Sequence, residues 1–278
     1  MTQNPAEFCE RYGPWAVVAG ASRGIGSEFA RQIAAKGLAI VAVARRSASL
    51  EAVADELRRE YSVEVRTLSL DLADADAARR IADATAGLDV GLVVYNAAYS
   101  PIGAFLELEL EDQVRALDVN CRTALGVAHH FGRLLSVRGG GGMILMSSMS
   151  ARQGSPGIAT YAATKAFGLV LGEGLWDELR SRGVDVLAFC AGATRTPNYE
   201  ASKPRPLGRF APQVMEPGAV ARDALAQLGA GPSAVAGRGN RFGNFIMGRL
   251  LSRRRAVELM GRTTRSMYGP RSGGRSPS

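Results

Sequence analysis

Trp15-Ala16-Val17-Val18-Ala19 empties into Gly20-Ala21-Ser22-Arg23-Gly24-Ile25-Gly26, after which residues 24–36 read as an amphipathic helix. An apolar run this short, with small and β-branched side chains, predicts a strand covered on both faces. Glycines placed where a strand becomes a helix let the backbone approach a phosphate, whose charge is stabilised by free N–H groups and the positive end of the helix dipole. With strand before and helix after, the segment reads as the first βα unit of a doubly wound sheet. A tight βα turn without a ligand satisfies the same glycine pattern, so it counts only in combination with the motifs further along.

Outward from this turn, runs rich in Val, Ile and Ala recur at 39–44, 63–69, 90–95, 143–147 and 184–189, separated by helical patterns at 48–60, 74–85, 111–136 and 158–182. Gly37, Gly87, Gly139 and Gly183 stand where helices or their loops end. Strand and helix in alternation predict one α/β domain over residues 1–236, a Rossmann-type doubly wound parallel sheet flanked by helices. Past Ala191 the pattern gives way to a Pro- and Arg-containing stretch, 198–217, read as a long loop with a short helix. A helix at 218–228 and a last strand at 233–236 follow. Residues 237–278 read as a basic helical extension with Phe242, Phe245, Ile246, Leu250 and Leu251 near helical spacing, ending in ten residues of disordered composition.

The 278 residues are 46% apolar, 22% charged and 6% aromatic, a globular profile that excludes collagen and intrinsic disorder. Cys9, Cys121 and Cys190 form no CxxC pair, so no disulfide framework and no metal site is expected, and reduced thiols in a cytoplasmic protein are the simplest reading. His129-His130 has no partner cluster either. The start of the chain is acidic and polar rather than basic and then apolar, which argues against a secretory signal. A membrane span needs about 18 apolar residues, and the longest uncharged window, 90–106, is interrupted by Asn96, Ser100 and Pro101. The net charge of +8 is local: residues 237–278 hold ten arginines against one glutamate, and the remainder holds 24 basic against 25 acidic residues. The body therefore offers no broad nucleic-acid footprint.

The second strand ends in Ala44-Arg45-Arg46. A site for NAD places an acid about 20 residues beyond the glycines to bind the ribose 2′-hydroxyl. A guanidinium instead pairs with the 2′-phosphate of NADP, and Arg23 in the glycine turn can close on it from the other side. NADP is therefore expected over NAD, the alternative being that Arg45 and Arg46 only begin a solvated loop. Met146-Ser147-Ser148 precedes Tyr161-Ala162-Ala163-Thr164-Lys165, in which Tyr161 and Lys165 stand one helical turn apart on one face. A phenol of pKa about 10 is a poor base at neutral pH, and a neighbouring ammonium is expected to lower it. The chain has 31 arginines and only three lysines, so a lysine here is not its default cation. Of the two serines only one can face a substrate, because strand alternation points them oppositely.

Taken together, these motifs resemble the short-chain dehydrogenase/reductase family over roughly residues 12–230. Gly20, Gly24 and Gly26 match its GxxxGxG cofactor loop, with Ser22, Arg23 and Ile25 between them. Asp71-Leu72 matches the pair that contacts adenine, and Asn96-Ala97-Ala98 falls where the family has NAG. Asn120 matches the active-site asparagine; Ser148, Tyr161 and Lys165 match the catalytic serine, tyrosine and lysine. Ala191-Gly192 with Thr194 and Thr196 fits the PGxxxT segment that holds the nicotinamide carboxamide. Ala98 for glycine and Ala191 for proline are departures that remove no reacting group.

The resemblance implies hydride transfer between NADP(H) and a carbonyl or secondary alcohol. In it Ser148 holds the oxyanion, Tyr161 exchanges the proton, Lys165 lowers the tyrosine pKa and orients the ribose, and Asn120 holds a water. Asn120 also reads as a helix-interior amide bonded to backbone. Tyr99, Pro101, Ile102, Phe105, Met149, Tyr199, Leu207 and Phe210 are expected near the substrate and favour a lipophilic one. A homodimer or homotetramer is implied by the family. The extension reads first as a lid packing Phe242, Phe245 and Leu250 on the body, with a partner-binding helix and a membrane-surface helix as alternatives. The competing reading of the whole chain is a non-catalytic NADP-binding scaffold.

Overall fold

The computed structural model describes residues 4–205, 214–249 and 251–268. Its sheet holds β1 (Trp15–Ala19), β2 (Ala39–Ala44), β3 (Val65–Ser69), β4 (Val90–Tyr95), β5 (Gly141–Ser148), β6 (Val184–Ala191) and β7 (Ser233–Val235). All seven are parallel, in the order β3-β2-β1-β4-β5-β6-β7. The winding reverses between β1 and β4, and a crevice opens beyond the carboxyl ends of strands at such a switch point.

A first helix, α1 (Pro5–Tyr12), precedes β1; α2 (Gly24–Ala34), α3 (Ser47–Tyr61), α4 (Ala77–Ala84), α5 (Leu110–Leu117), α6 (Thr123–Arg138) and α7 (Ala159–Arg180) connect the strands. After β6 come α8 (Pro197–Ala201) and α9 (Pro217–Gln227), and after β7 come α10 (Arg238–Arg249) and α11 (Arg253–Tyr268). Phe29, Ile33, Leu50 and Leu57 pack against Ile40, Leu187 and Phe189 on one face of the sheet. Ile81, Val127, Phe131 and Leu135 pack against Val17, Val93 and Leu145 on the other. Both faces being covered, β1 and β4 are buried at every residue, as their unbroken apolar composition requires.

Several boundaries differ from the sequence reading. α3 continues to Tyr61 and closes on Ser62 at φ +55°, so the third strand begins at Val65, not Val63. The helix expected at 111–136 is two helices joined by a π turn over Asp118–Arg122. The N-terminal segment, read only as polar, is helical. Asn4 Oδ1 accepts from the Ala6 N–H at 3.2 Å, Pro5 opens the first turn, and Phe8 and Tyr12, one turn apart, are buried. The Tyr12 ring lies on Gly142, where a Cβ would come within 2.9 Å of it, and its hydroxyl donates to Asp185 at 2.7 Å.

The extension corrects its expected packing. Phe242 and Phe245 are 67% and 55% exposed and do not cover the body. Ala256 and Thr264 of α11 are buried instead. Leu207, Phe210, Leu250 and the last ten residues lie outside the described residues. Among those described, no helix is long and apolar enough to cross a membrane, and no cluster of three or more His, Cys, Asp or Glu is placed to hold a metal ion.

Candidate active site

The glycine turn is closed from two sides. Gly20 and Gly24 adopt left-handed φ of +87° and +61°, which a residue with a Cβ takes only under strain. A Cβ on Gly26 would collide with the Gly20 carbonyl oxygen and come within 2.7 Å of Asn96 Nδ2. Asn96 and Ala97, at the end of β4, donate their N–H groups to the Ala19 carbonyl at 3.0 and 2.9 Å, and Asn96 Nδ2 donates to the Gly20 carbonyl at 3.3 Å. The N-terminus of α2 carries no side-chain cap and no acid in its first turn, so it presents free N–H groups and dipole to an anion. Ser22 and Ile25 are half-buried in the turn, and Ala98, where the family has glycine, is exposed.

Arg45 and Arg46 leave the end of β2 exposed to solvent. Arg23 lies close enough that burial, then repulsion from Arg46 and from Arg45, lowers its pKa. Three guanidinium groups therefore share one field beside the turn. Asp71 sits at its margin, with Arg115 Nη2 at 2.5 Å and Arg45 Nη1 at 3.7 Å from one oxygen and the Ala73 N–H donating to the other at 3.0 Å. Burial alone would raise the Asp71 pKa; those hydrogen bonds and charges hold it below its ordinary value. Leu72 is buried, its carbonyl accepting from Thr123 at 2.8 Å.

The segment after β6 folds back over the turn. Thr196 Cγ2 lies 3.0 Å from where a Gly24 Cβ would be, and Arg23 Nη2 donates to Asn198 Oδ1 at 2.5 Å. Thr196 Oγ1 caps α8 by accepting from the Tyr199 N–H at 3.2 Å, and buried Thr194 donates to the Gly192 carbonyl at 3.0 Å. Ala191 is paired in register with Ser148. A turn with glycine at 20, 24 and 26, an uncapped helix end and the guanidinium groups beside them fit the pyrophosphate of a nicotinamide dinucleotide.

Ser148, Tyr161 and Lys165 gather where β5 ends. Ser148 Oγ accepts from the Ser150 N–H and hydroxyl at 3.2 and 3.0 Å and lies near enough to the Tyr161 phenol to favour its ionised form. Ser147 points away, its Oγ donating to the Lys165 carbonyl at 2.8 Å. The Lys165 ammonium donates to the Met146 carbonyl at 2.8 Å and lies 5.8 Å from the centre of the Tyr161 ring. Burial pushes the Tyr161 phenol up to about 12, opposed by the nearby Ser148 hydroxyl and reinforced by the field of Tyr268. Burial also brings Lys165 down to about 8. The expected lowering of the Tyr161 pKa by Lys165 is therefore corrected: desolvation dominates, and the ammonium is turned to a backbone carbonyl.

Asn120 lies in the π turn with its amide fully engaged. Oδ1 accepts from the Tyr99 N–H at 2.8 Å, and Nδ2 donates to the Tyr99 carbonyl at 2.8 Å and to Thr164 Oγ1 at 2.9 Å. Thr164 in turn donates to the Tyr161 carbonyl at 2.7 Å, so Asn120 ties the loop after β4 to the first turn of α7. Thr164 was within reach of sequence reading, lying one residue before Lys165. Other contributors carry no sequence signal. Arg115 stacks 5.5 Å from the Tyr99 ring. Over the loop after β5, Thr264 packs on Gly157, and the Met267 carbonyl accepts from the Arg205 N–H at 3.1 Å. Tyr268 is close enough to Ser202 for the serine to affect its ionisation, and close enough to Tyr161 to affect that of the Tyr161 phenol. Ile102 and Phe105 are exposed, whereas Met149 packs against the cluster that includes Leu169 and Val235.

A model of the short chain dehydrogenase family matches residues 14–206. The chain belongs to the short-chain dehydrogenase family. It is thereby an oxidoreductase of a nicotinamide-dependent kind acting on hydroxyl or keto groups. This short-chain dehydrogenase is 35% identical over 234 residues to a 7beta-hydroxysteroid dehydrogenase of Clostridium sardiniense, covering 84% of this chain and 89% of the relative. A solved structure from work on 7beta-hydroxysteroid dehydrogenase stereoselectivity superposes with a TM-score of 0.84 at 31% identity, covering 91% of this chain and 98% of the other. A short-chain dehydrogenase from Sphingobium yanoikuyae in complex with NADPH superposes with a TM-score of 0.72 at 28% identity, covering 81% and 87%.

Proposed function

We propose that this short-chain dehydrogenase moves hydride between NADP(H) and the carbonyl or secondary alcohol of a lipophilic substrate. The observation that carries this reading is that Lys165 reaches from the helix of Tyr161 to the Met146 carbonyl at 2.8 Å, two residues before Ser148, so that serine, phenol and buried ammonium converge where β5 ends. Bound NADPH supplies the hydride. Ser148 donates a hydrogen bond to the carbonyl oxygen as negative charge grows on it, and Tyr161 gives that oxygen its proton. A phenol held at about 12 is the neutral acid at pH 7, so reduction finds its proton in place and oxidation needs the phenol ionised first. Lys165 holds the ribose, and Asn120 and Thr164 fix the helix turn that carries Tyr161.

Arg23, Arg45 and Arg46 support NADP over NAD, because an extra phosphate relieves the repulsion among them. The NADPH complex of the Sphingobium relative and the hydroxysteroid activity named for the Clostridium relative support the cofactor and a fused-ring or comparably apolar substrate. A homo-oligomer is supported by the outer face of α7, where Phe167 and Val170 are exposed beside an apolar groove of about 630 Å³. The cytoplasm is the compartment proposed, on the three unpaired cysteines. The deciding experiment is NADPH oxidation with a panel of steroid, aromatic and long-chain ketones, comparing the native chain with Tyr161→Phe. Turnover that the substitution abolishes supports hydride transfer. NADPH binding with no turnover of any ketone by the native chain would establish the scaffold instead.

A further inference from the structure

Arg238, Phe242, Phe245 and Arg249 of α10 stand at i, i+4, i+7 and i+11, a single stripe down one side of the helix. All four are exposed. The opposite side holds the helix to the body through Asn240, buried against Gly192 with Nδ2 donating to the Ala236 carbonyl at 2.9 Å, while Arg241 on the flank pairs with Asp223 at 3.0 Å. Arg238 and Arg249 form no ion pair among the described residues. α10 and α11 together carry eight arginines and one carboxylate, Glu258, which Arg254 occupies at 2.8 Å.

Two exposed benzyl rings flanked by unpaired guanidinium groups call for a partner that is apolar and anionic together. A second copy would set this stripe against itself in a two-fold contact and oppose arginine to arginine. The rest of the chain, with 24 basic and 25 acidic residues, is close to neutral and carries only one net negative charge to answer it. An anionic phospholipid surface supplies both parts, an acyl boundary for the rings and phosphates for the guanidinium groups. We propose that α10 is an interfacial helix that docks this enzyme on anionic lipid through Phe242 and Phe245, with Arg238 and Arg249 on the headgroups. Because Asn240 lies on Gly192, docking brings the segment after β6 to the lipid surface, where a lipophilic substrate resides. That consequence rests on the hydride-transfer reading; the docking does not.

The test is flotation of the full-length chain with vesicles of phosphatidylglycerol and phosphatidylcholine, and with phosphatidylcholine alone, for the native protein, Phe242→Ser/Phe245→Ser and Arg238→Gln/Arg249→Gln. NADPH binding of each variant, read by cofactor fluorescence, verifies the fold. The expected result is flotation with the anionic vesicles only, weakened by salt and reduced at least fivefold in each double variant at unchanged NADPH binding. No flotation of the native chain overturns the proposal, as does flotation that survives the phenylalanine substitutions. Duplex RNA bound through the same stripe in place of vesicles, or self-association abolished by the same substitutions without vesicle binding, also overturns it and assigns the stripe to that partner. Flotation without turnover of any ketone would sink hydride transfer and leave the docking standing.

Discussion

The Lys165 ammonium reaches back from α7 to the Met146 carbonyl on β5 at 2.8 Å, two residues before Ser148. That bond ties the helix carrying Tyr161 to the strand carrying Ser148, while Ser147 ties the same two elements by donating to the Lys165 carbonyl at 2.8 Å. The two links are reciprocal and hold the phenol and the serine hydroxyl in register across separate elements.

Burial sets Lys165 at about 8, so it is an ammonium below that pH and a neutral amine above it. Affinity for NADPH is expected to fall as pH rises through about 8, two units before an ordinary lysine, of pKa about 10.4, would titrate. Fluorescence titration of NADPH from pH 6 to 10 reads this directly, and Lys165→Met should bind weakly with no such limb. The linkage to folding has the opposite sign: between about 8 and the ordinary lysine value the unfolded chain holds the extra proton, so stability rises with pH across that window.

Tyr161→Phe removes the proton donor and leaves the ring. Acid catalysis of this kind contributes about 10²- to 10⁴-fold, so kcat should drop by that order while the KM for NADPH stays near its native value. Ser148→Ala is expected to cost about 10²- to 10³-fold in kcat, the scale of one oxyanion donor. Steady-state kinetics on the best ketone of the panel separates these effects from misfolding.

Arg45→Asp replaces a phosphate partner by a repelling charge. A hydrogen bond to a charged group is worth about 1.5–3 kcal/mol, so the KM for NADPH should rise about 10- to 100-fold and that for NADH much less. Equal changes for the two cofactors would refute the phosphate assignment.

Tyr268 lies in the field of Tyr161 at the end of α11, which packs on the loop containing Gly154 and Gly157. Ending the chain after residue 252 removes this cover. The half-buried phenol then becomes more exposed, its pKa falls from about 12 towards its ordinary value, and the alkaline pH–rate limb for alcohol oxidation moves to lower pH. KM for ketone should rise several-fold, with NADPH affinity unchanged in equilibrium titration.

Much of this was local and therefore readable from the chain. The turn at Gly20–Gly26, the alternating strands and helices, and the one-turn spacing of Tyr161 and Lys165 follow from φ restrictions and the 3.6-residue period, which depend only on near neighbours. Strand alternation separated Ser147 from Ser148 in the same way. Tertiary structure decided what depends on distant groups. The Tyr161 pKa goes up because burial of the phenol disfavours its charged form, a property of the enclosure that the spacing of Tyr161 and Lys165 does not carry. Arg23 found Asn198, 175 residues further on. Phe242 and Phe245 face solvent while Ala256 and Thr264 are covered: burial is a competition among all apolar surfaces for the same core, and spacing along one helix says nothing about which face wins it.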